Sequence, residues 1–284
     1  MQKAPTSNTD PDVYFEASFS PVSIKPHFHN MHQILFIREG TVRIKINTKE
    51  YACNPDSILF ISNLESHSIQ ILQYPYKRYV LSVPVNFSFL SQSPVFGILL
   101  RHPESFSHMI GLDSPAAAKI ASLFSDMTRE CAEKKSEWQL SVACGITRLL
   151  IELYRFSPAS FPENSATNMA EIVLNMQKMI AARYFEEISL EVLAEKYFVS
   201  KYHLSREFKR LAGYNFKEYL ILQRISAAKD YLVHSSMPVA DVGQHCGYNN
   251  VNHFIRIFQN TVHKTPHQYR KEMRSVKTAP PADQ

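Results

Sequence analysis

Two ten-residue stretches near the C-terminus, SKYHLSREFK at residues 200–209 and NVNHFIRIFQ at residues 250–259, share one pattern. At an offset of 50 positions, a histidine, a large apolar residue, an arginine and a phenylalanine fall in the same places. The apolar residues recur at helical spacing and therefore share one face, while polar or variable residues lie on the other. The repeat predicts two similar amphipathic helices, each packed through one face.

A short helix is predicted before each of these stretches, at residues 190–196 after Ser189 and at residues 239–246 after Pro238. A short helix, a tight turn and a second helix form a helix-turn-helix, whose second helix enters the major groove of DNA. Between the two units, residues 215–233 predict a helix opened by a capping box of Asn215 and Glu218. It would span roughly 28 Å, close to the roughly 34 Å between successive major grooves.

The residues predicted to contact DNA lie on the polar faces of the two second helices. A single amphipathic helix pair is usually core packing, and it is the duplication that favours DNA reading. Arginine can bind guanine, asparagine can bind adenine, and valine or isoleucine can contact a thymine methyl group. The candidates are Lys201, Tyr202, Ser205, Arg206 and Lys209 in the first helix, and Asn250, Val251, Asn252, Ile255 and Arg256 in the second.

The charge of the chain is unevenly distributed. The formal net charge is +5, and residues 1–167 hold 15 basic and 15 acidic residues, which cancel. Residues 168–284 hold 16 basic and 11 acidic residues, so the whole excess lies in the part that contains the repeat. This bias favours a polyanionic partner for that part, here double-stranded DNA.

The first part of the chain is rich in predicted strands. TVRIKIN at residues 41–47 alternates apolar and polar residues, as in a half-buried antiparallel strand. Short β-branched runs at residues 33–38, 57–61, 68–72 and 79–83 predict further strands, with turns at Glu39-Gly40 and at residues 54–56. Many short strands without intervening helices predict an antiparallel barrel or sandwich.

The middle of the chain turns helical. Ser114 and Pro115 are a typical helix start, and amphipathic helices are predicted at about residues 116–134 and 137–154. These helices either form a dimer interface or simply cover the barrel, and the sequence leaves both interpretations open. The predicted divisions are residues 1–105 for effector sensing, 106–156 for helical dimerisation, 157–168 for a polar linker, 169–276 for DNA binding and 277–284 for a disordered tail.

Several classes of protein are disfavoured by the composition. The mean hydropathy is −0.22, and no apolar run approaches the roughly 18 residues of a membrane helix. The N-terminus lacks the apolar segment of a signal peptide. Four cysteines are scattered without metal-ligand spacing, which favours reduced thiols and a cytoplasmic protein.

Residues 188–270 resemble the DNA-binding domain of AraC-type (arabinose-regulator) transcription factors. The first unit carries that family's motif at Ser189, Leu190, Glu191, Leu193, Ala194, Ser200, His203, Leu204, Arg206, Phe208, Lys209, Gly213, Tyr219, Leu220, Arg224, Ile225 and Ala228. The second carries it at Asp241, Val242, Gly247, Tyr248, His253, Phe254, Arg256, Phe258, Thr265, Pro266, Tyr269 and Arg270.

Three positions depart from the family pattern. Gly243 stands where alanine is usual, Gln259 where lysine is usual, and His263 where glycine is usual. Gly243 is expected to weaken its helix by up to ~1 kcal/mol relative to alanine. Gln259 removes one charge that could face a phosphate.

The N-terminal part resembles the same family's sensory domain, a cupin-like barrel. HFHNMHQ at residues 27–33, followed by Gly40, is similar to the first cupin motif, and His67 falls where the second motif has its histidine. Metal cupins use two histidines, a glutamate and a later histidine, but here Gln33 replaces the glutamate. A neutral amide is a poor substitute for a carboxylate on iron or manganese. We therefore expect no catalytic residue, no metal and no cofactor.

The sequence instead predicts that His27, His29, Gln33 and His67 bind an uncharged or weakly acidic polar effector, with Phe28 and Phe36 as aromatic neighbours. A sugar is the leading choice, on the resemblance alone. Ordinary hydrogen-bonding histidines on a barrel wall remain an alternative. So do a metal-dependent cupin enzyme with an accessory DNA-binding domain, and a ligand-free architectural DNA-binding protein.

The resemblance also implies a function and partners. It implies a sequence-specific transcription regulator, an activator rather than a repressor, whose effector changes the arrangement of its domains. The expected partners are DNA bound in two successive major grooves, a second copy of the chain in a homodimer, and RNA polymerase.

Overall fold

The computed structural model describes residues 10–19, 24–85, 94–100, 102, 106–161 and 168–278. The chain divides into two compact units, with the main boundary between Leu174 and Asn175. No helix in the described ranges is long and apolar enough to cross a membrane.

The N-terminal unit contains one antiparallel sheet. Its strands are β1 (Asp12–Ser18), β2 (Ile24–His27), β3 (Met31–Ile46), β4 (Lys49–Cys53), β5 (Ser57–Ile61), β6 (His67–Pro84) and β7 (Met109–Gly111). The strand order is β1-β6-β3-β5-β7, and β2 and β4 add to the far ends of β6 and β3. The two long strands, β3 and β6, therefore each pair with three other strands. The antiparallel N-terminal domain that the sequence predicts is confirmed.

The predicted turn at Glu39-Gly40 is wrong. β3 continues through these residues, and its pairing with β6 shifts register between Ile37 and Val42. Gly40 has a φ of +83°, so it supplies the left-handed conformation that an irregularity of the strand needs. The predicted strands at residues 68–72 and 79–83 likewise belong to one strand, β6.

The two faces of the sheet bury different side chains. One face forms an inner core that includes Leu35, Ile37, Ile44, Leu59 and Val80. The other face packs against the helices α2 (Ser114–Glu133) and α3 (Trp138–Phe156), through Phe36 among others. These helices follow the short α1 (Gly97–Leu100), and α2 is capped by Asp113 rather than by Ser114.

The boundaries predicted around these helices need correction. Residues 106–156 are not wholly helical, because β7 lies there and pairs with β5. At the predicted linker, Pro158–Ser160 forms a 3-10 turn and Phe161 is buried in the core with α3. Residues 162–167 lie outside the described residues.

The C-terminal unit is helical. The first helix, α4 (Asn168–Arg183), begins before the boundary at Asn175 and continues into this unit. The other helices are α5 (Leu190–Lys196), α6 (Lys201–Ala212), α7 (Phe216–His234), α8 (Val239–His245), α9 (Val251–Val262) and α10 (Pro266–Thr278). Both helix-turn-helix units are present, and both hydrogen bonds of the predicted capping box form at the start of α7. Because α10 ends at Thr278, the first two residues of the predicted disordered tail are helical, and residues 279–284 lie outside the described residues.

Candidate DNA interface and histidine cluster

We call α6 and α9, the second helices of the two helix-turn-helix units, the reading helices. Both are anchored through equivalent side chains. Leu204 and Phe208 on α6, and Phe254 and Phe258 on α9, are fully buried. The ring of Phe208 packs edge-on against Tyr219 of α7, and that of Phe258 packs edge-on against Tyr269 of α10. This anchoring fixes the rotation of each helix, and therefore fixes which side chains point away from the unit.

The side chains predicted to contact DNA lie on the outer faces. Tyr202, a large aromatic residue, is 79% exposed. Lys201, Arg206 and Lys209 on α6, and Val251, Asn252 and Arg256 on α9, are exposed, while Ser205 and Ile255 are half-buried beside them. The structure thus brings each predicted set onto one helix face.

Two of these cations have an acidic partner within their own unit, and for Arg206 it is Glu207 on the same helix, at 3.7 Å. Lys201 forms an ion pair with Glu191 on α5, and both side chains are more than half exposed. Hydrogen bonds from Lys201 and Ser189 lower the pKa of Glu191 to about 2. A phosphate that binds Lys201 must compete with this pair.

Asn250 has a role that the sequence analysis did not assign. It is the N-cap of α9, and its Oδ1 accepts a hydrogen bond from the His253 backbone N–H at 3.0 Å. Ser200 does the same for α6, where its Oγ accepts from the His203 N–H at 3.2 Å. The helix cap therefore uses one lone pair of the Asn250 amide oxygen, and the other lone pair and the NH₂ group remain for DNA.

Two arginines of the family motif brace the unit. Arg224 on α7 donates to the carbonyl oxygens of Tyr184 and Glu186, at 2.8 and 2.9 Å. Arg270 on α10 donates to the carbonyl oxygen of Leu232 at 3.1 Å and to that of Met237. Each arginine donates to backbone carbonyl oxygens near or just past the end of a helix. Both arginines of the motif therefore have a structural role.

Two of the departures from the family pattern have structural consequences. A Cβ at Gly243 would lie 2.9 Å from a ring carbon of Phe254, so alanine would gain helix propensity but crowd the reading helix. His263 adopts a φ of +58° at the C-cap of α9. Glycine is favoured there because it adopts this conformation without strain.

Three of the four residues predicted to bind the effector converge. His27 ends β2, His67 begins β6 directly opposite it, and His29 follows in the next segment. Their ring centroids are 4.2 Å (His27–His67), 4.9 Å (His29–His67) and 6.0 Å (His27–His29) apart. We call His27, His29 and His67 the histidine cluster.

The other residues assigned to the pocket lie elsewhere. Gln33 pairs with Ser82 and Ile61 on another part of the sheet, and its Nε2 lies 3.4 Å from Ser82 Oγ. Phe36 is not a pocket residue, because it stacks on Phe124 of α2 on the opposite face.

A second polar cluster escaped the sequence analysis. The buried carboxylate of Glu65 lies 2.9 Å from His102 Nδ1 and 3.2 Å from His108 Nε2, and it accepts the Ser62 N–H at 2.7 Å. Burial opposes its ionisation, but the two histidines outweigh this and hold the pKa of Glu65 well below its usual range. Because these residues are far apart in the chain, no local pattern signals them.

Comparison with known proteins agrees with this architecture. A family model described as an AraC-like ligand binding domain matches residues 11–150, and a model described as a helix-turn-helix domain matches residues 193–272. The two matches fall on the strand-rich part and on the duplicated helical part of the chain.

Similar proteins span almost the whole chain. The HTH-type transcriptional activator RhaS of Enterobacter sp. (strain 638) is 22% identical over 287 residues, covering 91% of this chain and 95% of RhaS. RhaS of Escherichia coli O157:H7 is 20% identical, with the same coverage. The fold of ToxT from Vibrio cholerae aligns with a TM-score of 0.61 at 11% identity, covering 92% of this chain and 98% of ToxT. With both family models matched in the order that its two units show, the chain belongs to the AraC family of transcription regulators.

Proposed function

We propose that the chain is a sequence-specific transcription activator that inserts α6 and α9 into successive major grooves of its operator. The observation that carries this proposal is the pair of equivalent exposed faces, anchored by equivalent buried residues at an offset of 50. The helix between the units, α7, has 19 residues and therefore spans roughly 28 Å, close to one turn of the duplex.

Within this proposal the outward residues divide by chemistry. Arg206, Asn252 and Arg256 have side chains that read base edges, and Val251 and Ile255 suit thymine methyl groups. Lys201, Tyr202, Ser205 and Lys209 contact the first groove and its phosphates. Asn250, as the cap of α9, supports the helix end that enters the second groove.

We expect Arg206→Ala and Arg256→Ala each to weaken binding of a selected operator by about 1–3 kcal/mol, which is about 5- to 160-fold. Each loss should relax base preference in only one half of the site, because each arginine enters one groove. Titration against operators randomised in one half at a time measures this.

The matched control for both variants is Arg183→Ala, which removes an exposed arginine on α4, outside the two reading helices. It should leave base preference unchanged. A uniform loss of affinity on every sequence in the arginine variants would reassign Arg206 and Arg256 to backbone positioning.

The effector part of the proposal rests on the N-terminal unit. We assign the histidine cluster to a polar small molecule, a sugar derivative being the first choice. The match to an AraC-like ligand binding domain supports a ligand there. It also supports a regulator over the alternative, a metal-dependent cupin enzyme. RNA polymerase is the proposed downstream partner, and the cytoplasm the proposed location.

A homodimer is supported by the outer face of α3. Leu140, Cys144, Thr147, Ile151 and Tyr154 recur at alternating spacings of four and three residues, the seam of a two-stranded coiled coil. Leu140 and Tyr154 are 49% and 41% exposed, and Cys144 is also exposed, while the opposite face of α3 packs on α2 and the sheet. The helices thus both cover the sheet and present an apolar stripe to a second copy.

We expect the Leu140→Lys/Cys144→Lys variant to become monomeric, because dimerisation would bury two unpaired charges from each chain. Sedimentation velocity over a concentration series measures the change. Ser141→Lys adds a charge at an exposed position beside the stripe and should leave the dimer intact. If both variants sediment like the native chain, α3 is not the interface.

A further inference from the structure

The histidine cluster has an ordered pattern of hydrogen bonds behind it. In each of the three rings, Nδ1 lies 3.0 Å from a backbone carbonyl oxygen: that of Lys25 for His27, of Met31 for His29, and of Glu65 for His67. A carbonyl oxygen only accepts, so each Nδ1 carries the hydrogen and each Nε2 carries the lone pair. The backbone therefore fixes the same tautomer in all three rings.

This tautomer is the one that metal-binding histidines use. A histidine that ligates a metal through one nitrogen usually donates its other N–H to a carbonyl or carboxylate, which orients the ring. One ring nitrogen from each of the three residues lies within 4.8 Å of the other two. Three nitrogens bound to one tetrahedral zinc ion lie about 3.3 Å apart, so modest ring rotations close the site.

The histidine cluster is buried on one side and partly exposed on the other. His67 is buried, whereas His27 and His29 are half-buried, so an ion held by all three is enclosed on one side. His67 is also firmly placed, because the carbonyl that receives its N–H belongs to Glu65, whose carboxylate is held by Ser62, His102 and His108. Three histidines with one open position are a known arrangement for accessible zinc.

We propose that His27, His29 and His67 bind one Zn²⁺ ion, whose open position receives an oxygen or nitrogen atom of the effector. The donor set is all imidazole, which suits zinc and disfavours magnesium, calcium and manganese. The missing carboxylate at Gln33 argues against a four-ligand iron or manganese site but leaves a three-histidine zinc site complete. Only the role of the open position rests on the proposed function.

The test uses the full, untagged chain, stripped with a chelator and dialysed. Titration with Zn²⁺, followed by calorimetry and by elemental analysis after gel filtration, should give one ion per chain. Co²⁺ in place of Zn²⁺ should give the intense visible bands of a tetrahedral site. His27→Ala and His29→Ala, at half-buried positions, should each lose the ion, and His267→Ala, at an exposed position on α10, should retain it.

The two proposals fail in different ways. Less than a tenth of an ion per native chain, or equal zinc binding in the His29→Ala variant, overturns the metal site. If the metal-free chain is nevertheless stabilised by a metabolite, the effector proposal stands without zinc. A different outcome is that zinc binds at one ion per chain but no metabolite from a panel alters operator binding by the zinc-loaded protein. That result would support the zinc site and contradict its role in binding the effector. The Co²⁺ spectrum of the native chain decides the ligation even if a variant does not fold.

Discussion

Gly40→Ala should destabilise the N-terminal unit by about 2–5 kcal/mol. The φ of +83° at Gly40 costs an alanine roughly 1–2 kcal/mol. A Cβ there would also lie 2.6 Å from the carbonyl oxygens of both Gln73 and Pro75, and such overpacking costs roughly 1–3 kcal/mol. Neither oxygen can move freely, because both belong to the backbone of β6.

Fluorescence of the single tryptophan measures this loss. Trp138 begins α3 and packs against the core of the N-terminal unit, so its emission follows the unfolding of that unit. At roughly 2–4 °C per kcal/mol, the midpoint should fall by roughly 10 °C. Gly111→Ala is the matched control, because a Cβ there meets no atom within 4 Å. Equal midpoints for the two variants would contradict the placement of Gly40 against β6.

Glu65→Gln should cost about 3–5 kcal/mol, as expected when one partner of a buried ion pair is removed. Polar atoms hold His102 on both sides of its ring, because its Nδ1 faces the Glu65 carboxylate and its Nε2 lies 2.7 Å from the carbonyl oxygen of Ile98. Glutamine keeps the shape but supplies no negative charge and turns an NH₂ group towards donors.

The matched control for Glu65→Gln is Glu50→Gln, the same change at an exposed position of β4 in the same unit. Chemical denaturation followed by Trp138 emission should separate the two variants clearly. A Glu65→Gln midpoint within error of that of Glu50→Gln would show that the two histidines are held by other contacts and that the carboxylate is dispensable.

The helical unit was the most predictable part of the molecule, because its signals are local. Apolar residues four apart, such as Phe254 and Phe258, define a packed face within one turn of helix. The capping box of Asn215 and Glu218 lies within four residues. The boundaries of α5 and α7 consequently agree with prediction to within a residue.

The failures have a common physical origin in contacts between distant residues. Glu39-Gly40 has the composition of a turn, and only pairing with β6 makes it an irregularity within a continuous strand. Glu65 meets His102 and His108 across about forty residues, so no spacing rule could join them. The convergence of His27 and His29 with His67 was predicted, although the β2–β6 register that produces it is itself a contact between distant residues.

The long pairing of β3 with β6 also affects the order of folding. Met31 lies opposite Pro84 and Ile46 opposite His67, with β4 and β5 between them in the chain. Closing such distant segments is slow, whereas helices joined by short turns form through neighbours and are fast. When the full chain refolds from denaturant, the DNA-reading unit is therefore expected to form ahead of the sensory unit. The refolding chain then passes through an interval in which the DNA-reading unit is folded while the sensory unit is still forming.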